Sequence, residues 1–91
     1  SDLNDLKKPA MTPEQRLRKQ IDEEPQRIGP YLELGDLLKR QNKLDEAERV
    51  LAAGKKVTDN DPILVEAHAD LQMARLQRAV IVYSKKVRDN P

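Results

Sequence analysis

Residues 30–57 read PYLELGDLLKRQNKLDEAERVLAAGKKV, and the order of large and small side chains in this stretch decides the fold. Tyr31, Leu34, Leu37 and Leu38 recur at i, i+3, i+6 and i+7, the period of a helix with one apolar face. Pro30 opens that helix in its first turn, where a missing N–H does no harm. Gln41-Asn42-Lys43 is the turn that follows. Leu44-Asp45-Glu46-Ala47 then starts a second helix with its acids at the positive end of the helix dipole, and Lys55 and Lys56 stand near the opposite end. Ala47, Val50, Leu51, Gly54 and Val57 form its apolar or small face. Gly35 sits in mid-helix, at a cost of about 1 kcal/mol relative to alanine. The return expected for that cost is the close approach of another helix. Small residues at 35, 47 and 54 thus let two antiparallel helices meet, while bulky ones at 31, 34, 38, 44 and 51 fill the seams around the pair.

Upstream, Thr12-Pro13-Glu14-Gln15 is a strong helix start, with Thr12 as N-cap, Pro13 in the first turn and Gln15 completing a capping box. This helix runs to about Glu24 and stops before Pro25. Leu17 and Ile21 are its narrow apolar stripe, enough to rest on one neighbour. Residues 1–11, polar and interrupted by Pro9, read as an N-terminal arm. Downstream, Thr58-Asp59-Asn60 breaks the chain and Asp61-Pro62 caps a further helix. From Ile63 to Arg88 there is no Gly, Pro or Asn. Ala69, Met73, Leu76, Val80, Tyr83 and Val87 follow a 4,3,4,3,4 spacing, a seam that stays on one face for about five turns. The expectation is an all-α, antiparallel helix-hairpin array with helices near 12–24, 30–41, 44–57 and one long helix over 62–88. Residues 12–91 form a single domain in this reading, and the chain, beginning on Ser1 and ending on Pro91, reads as a piece of a longer protein.

Composition agrees with helices and excludes several classes of chemistry. Aromatics are 2% of the 91 residues, with no Phe and no Trp, so the core is built of Leu, Ile, Val, Ala and Met. The net charge of +1 singles out neither an acidic nor a basic partner. The absence of cysteine removes disulfides and thiolate metal sites and favours a reducing, cytoplasmic setting. No apolar run approaches the roughly 20 residues that span a bilayer, so no membrane partner is expected. No nucleophile–base pairing, Gly-rich phosphate loop or paired carboxylates in an apolar context occurs, so neither an enzyme nor a cofactor is expected. His68 is the sole histidine, with no carboxylate at i+3 or i+4, and reads as structural or surface rather than a metal ligand.

Tyr31, Leu34, Gly35 and Leu38, followed by Leu44, Ala47, Leu51 and Gly54, resemble a tetratricopeptide repeat. The family places a bulky residue, then Leu-Gly three and four residues on, then an Ala twelve residues after the Gly, the separation of Gly35 from Ala47. Pro25 falls where a preceding repeat would close. The resemblance covers about a third of the chain. Two departures stand out: the closing Pro comes at 62, three residues late, and a second repeat with His68 and Leu71 at the bulky and Leu positions has Gln72 in place of Gly and lacks the inter-helix turn. The 62–88 helix therefore reads as a capping or repeat-derived helix.

The resemblance implies a non-catalytic interaction or scaffolding module whose first helix lines a concave, peptide-binding face at Leu32, Glu33, Asp36, Lys39 and Arg40. Members that bind chaperone C-terminal carboxylates carry Asn and Lys there. Glu33 and Asp36 would repel a carboxylate, which argues against that ligand. Read without the family, these positions are a solvated face of i,i+3 and i,i+4 ion pairs. The seam Met73, Leu76, Val80, Tyr83 and Val87 outruns its partner within the chain and is expected to be covered either by a second copy, with a homodimer as the simplest product, or by a further part of the longer protein. Arg75, Arg78, Lys85, Lys86 and Arg88 give the last helix a positive excess, but without stacking aromatics or a recognition motif they read as a solvated face, which argues against nucleic acid.

Overall fold

A computed structural model describes residues 10–89; the arm expected over 1–11 lies, apart from Ala10 and Met11, outside the described residues. Four helices occupy the described stretch: α1 Pro13–Glu23, α2 Ile28–Arg40, α3 Leu44–Val57 and α4 Pro62–Asp89. The bounds follow the sequence expectations to within a residue, except that α2 begins at Ile28 and not at Pro30. The first four N–H groups of a helix have no partner within it, so Pro30 is accommodated at the third position as well as at the first. Each helix packs antiparallel on the next, and α4 also touches α2. α1 and α3 meet only through side chains, with Arg18 Nη2 at 3.6 Å from Glu46 Oε2.

The helix ends are set by local hydrogen bonds. Thr12 Oγ1 accepts from Gln15 N at 3.1 Å while Thr12 N donates to Gln15 Oε1 at 3.0 Å, a reciprocal capping box. α2 ends with Asn42 in the left-handed region (φ 64°). Lys43 N donates to Leu38 O at 2.8 Å and Asn42 N to Lys39 O at 3.0 Å. The same two-bond closure ends α3, where Asp59 and Asn60 take φ 55° and 64°. Asn and Asp tolerate this conformation best among residues with a Cβ, so both turns form without glycine. Asp61 Oδ1 then accepts from Ile63 N at 2.9 Å and caps α4.

The core is one cluster: Leu17, Tyr31, Leu34, Leu38, Ala47, Leu51, Leu64 and Leu71. The glycines do what their positions require. A Cβ on Gly35 would lie 3.1 Å from Leu51 Cδ2, and one on Gly54 would lie 2.8 Å from the Tyr31 ring. α4 enters the core through Leu64, His68 and Leu71, with Ala67 half-buried beside them. Pro62 precedes His68 by the same six residues that separate Pro25 from Tyr31. A helix of 28 residues is about 42 Å long, twice the length of its partner α3. Its second half projects past the body. The radius of gyration, 17.5 Å, accordingly exceeds the value of about 12 Å for a compact chain of this length.

Candidate interaction surfaces

Three surfaces follow from this packing. The first is a shallow groove of about 130 Å³ between α2 and α4, floored by Gly35, Leu51, Ala67 and Leu71 and rimmed by Leu32, Asp36 and Lys39. It has room for a side chain or two and not for a drug-sized ligand, which takes about 300 Å³ or more. Of the five candidate groove positions, Leu32, Asp36 and Lys39 come together here. Glu33 and Arg40 lie farther round α2 on its solvent side, both exposed. Arg40 Nη2 reaches back to Asp36 Oδ2 at 2.9 Å, an exposed i,i+4 pair worth under about 1 kcal/mol.

The second surface is a polar strip that fastens α4 to α3. His68 is buried, with Nδ1 at 2.8 Å from Lys55 Nζ and Nε2 at 3.5 Å from Glu48 Oε1. An ammonium only donates, so Nδ1 accepts from Lys55, and Nε2 faces Glu48. That Nε2 has no partner at hydrogen-bond distance. Gln72 Nε2 donates to Glu48 Oε1 at 3.3 Å, Arg75 bridges Glu48 and Asp45, and Arg78 donates to Asn42 Oδ1. Arg75 and Arg78, which the sequence offers as part of a basic face, are thus engaged within the molecule.

Glu48 is the hub of this strip. Hydrogen bonds from Arg75, then Gln72, hold its carboxyl below the usual 4.5, with the charge of Arg75 adding to them. A carboxyl depressed in the folded state favours folding above its unfolded value and loses that contribution as pH falls through the folded one. Thermal melts are therefore expected to be flat in this respect from neutral pH to about 5 and to fall below about 4.5. Glu48→Gln should remove part of that acid-side slope; an unchanged slope would show that the strip contributes nothing to stability.

The third surface is the projecting half of α4. Met73, Leu76, Val80, Tyr83 and Val87 are between 51% and 69% exposed. At 100° per residue the seam they form lies about 140° around the helix from the Leu64–His68–Leu71 face, so even its N-terminal part does not pack on α3. The strict heptad spacing draws the eye to this longer stripe. The stripe that packs is short and passes into Arg75 and Arg78 after Leu71. The signal that finds it is the repeated Pro-x5-bulky spacing at 25/31 and 62/68.

The candidate repeat-packing positions sit in the core: Tyr31, Leu34, Gly35, Leu38, Ala47, Leu51 and Gly54 are buried and Leu44 is half-buried. Among the described residues, no group of three or more His, Cys, Asp or Glu is placed to hold a metal ion. No described helix is long and apolar enough to cross a membrane. A family model described as tetratricopeptide repeat matches residues 14–71, more than half of the chain. Neither the curated proteins nor the solved structures contain a match.

Proposed function

Since the chain belongs to the tetratricopeptide repeat family, whose members are typically protein-interaction modules, we propose that it is a non-catalytic scaffold whose α2–α4 groove takes an extended segment of a partner protein. The observation that carries this reading is the groove itself. Its floor of buried Gly35 and Leu71 is reached past half-buried Ala67 and Leu32, and one acidic and one basic side chain, Asp36 and Lys39, stand at its rim. An apolar side chain of the partner fills the floor, and its polar flanks meet the two rim charges. The exposed Arg40–Asp36 pair is weak enough to exchange for a partner's cation. Asp36 disfavours a terminal carboxylate, so an internal segment is the fitting ligand.

Leu32→Glu and Asp36→Lys test this. Each is expected to weaken capture of the partner by about tenfold or more, the loss typical of a contact at the centre of an interface, with helicity unchanged. Partner capture that survives both substitutions would take the groove out of the function.

A further inference from the structure

We propose that the exposed seam of α4 binds a second copy of this chain in antiparallel orientation, with the two-fold axis level with residue 78. This surface is separate from the groove. The stretch Ala79-Val80-Ile81-Val82-Tyr83-Ser84 carries no charge, and its large residues are 49% to 69% exposed. A helix apolar all round is a buried helix. Met73, Leu76, Val80, Tyr83 and Val87 together expose on the order of 600 Å² per copy, at the upper limit for a patch on a monomer. Complete cover of two such seams would remove at most about 1,200 Å² from water, the order of the roughly 1,000 Å² that a specific interface needs.

The occupant is identified by the way the seam fits itself. With the axis level with residue 78, Leu76 meets the partner's Val80, Met73 meets the partner's Tyr83, and Ala69 meets the partner's Val87. Each layer pairs a smaller side chain with a larger one. The Met–Tyr layers add sulfur–aromatic contact. The positions that flank the axis, Gln77 and Ala79, meet their own copies without charge or bulk. At the ends, Glu66 comes within two residues, about 3 Å along the axis, of the level of the partner's Arg88, whereas a parallel pair would stack Glu66 on Glu66 and Arg88 on Arg88. α2 and α3 pack on the Leu64–His68–Leu71 face, about 140° around α4 from the seam, which leaves the seam itself open to a second helix.

Sedimentation equilibrium of the chain is expected to show a monomer–dimer equilibrium, and Leu76→Glu with Val80→Glu should weaken it at least about a hundredfold while helicity is kept. Both residues are exposed in the monomer, so the variant folds. Orientation is read by cross-linking, which the lack of native cysteine makes clean. Gln77→Cys chains should be joined by a bis-maleimide of about 10 Å span, and Gln72→Cys chains, about 20 Å apart along the antiparallel pair, should not. A monomer at every concentration overturns the proposal and leaves the seam to a different protein. Cross-linking of both variants overturns the antiparallel register. Leu32→Glu leaves the dimer intact, so failure here is distinct from failure of the groove.

Discussion

Tyr31→Ala is expected to lower the stability of the domain by about 3–5 kcal/mol, the range for deleting a buried aromatic ring. Tyr31 is 2% exposed and ties together three parts of the molecule. Its ring lies against Gly54 of α3, and its hydroxyl donates to Pro25 O at 2.7 Å, fixing the α1–α2 connection. Burial first, and the charge of Asp22 second, push the phenol up from its ordinary value, so it stays protonated and remains a donor. Truncation removes the ring and leaves a cavity where α1, α2 and α3 converge. At 0.05–0.15 kcal/mol per residue, the described residues hold roughly 4–12 kcal/mol in all. An elongated body with little core belongs at the lower end, so Tyr31→Ala should be largely unfolded at room temperature. Tyr31→Phe keeps the ring and should lose only about 1 kcal/mol for the hydrogen bond. Urea melts followed by circular dichroism separate the two. A loss under about 1 kcal/mol for the alanine variant would mean that the ring does not organise the junction.

Why this much of the fold is legible in the sequence follows from where each instruction resides. Helix starts and stops are written locally: Thr12 with Gln15, Asn42 after Arg40, Asp61 before Pro62 each act within three residues. The pairing of α2 with α3 is also near in sequence, and the small residues at 35, 47 and 54 mark it without reference to anything distant. The docking of α4 is different. It depends on Leu64, His68 and Leu71 fitting against a pair already formed, and His68 is not a residue that a hydrophobicity pattern selects. Its one hydrogen bond is to Lys55, and the carboxylate nearest its other ring nitrogen is Glu48; they lie 13 and 20 positions away on another helix. The groove was half legible for the same reason. Helical period separates Leu32, Asp36 and Lys39 from Glu33 and Arg40 only once the angle of α4 against α2 is known.

The two mid-helix glycines should respond very differently to the same substitution, and Gly54 is expected to be the least tolerant position of the domain after Tyr31. Both have ordinary helical backbone, so conformational strain plays no part. A Cβ on Gly35 would meet the branched end of Leu51 at 3.1–3.4 Å, a flexible tip that can turn aside by a few tenths of an ångström. The gain of about 1 kcal/mol in helix propensity offsets that crowding, so Gly35→Ala should fall within about 1 kcal/mol of wild type. Gly35→Leu adds volume that the tip cannot yield and should cost about 1–3 kcal/mol. A Cβ on Gly54 would stand 2.8 Å from Cγ and Cδ1 of Tyr31 and 3.1 Å from Leu64. That ring cannot turn aside, because its hydroxyl is held by Pro25 O and its surroundings are fully packed. Gly54→Ala is therefore destabilising in spite of its better propensity, and Gly54→Leu should separate α3 from α2 at a cost of about 3 kcal/mol or more. The mechanism has its own check. In a Tyr31→Phe background the ring loses its tether, so Gly54→Ala should cost less there than in the wild type, an interaction energy of at least about 0.5 kcal/mol. Strict additivity would show that the ring yields without its hydrogen bond being disturbed, and the tolerance of Gly54 would then equal that of Gly35.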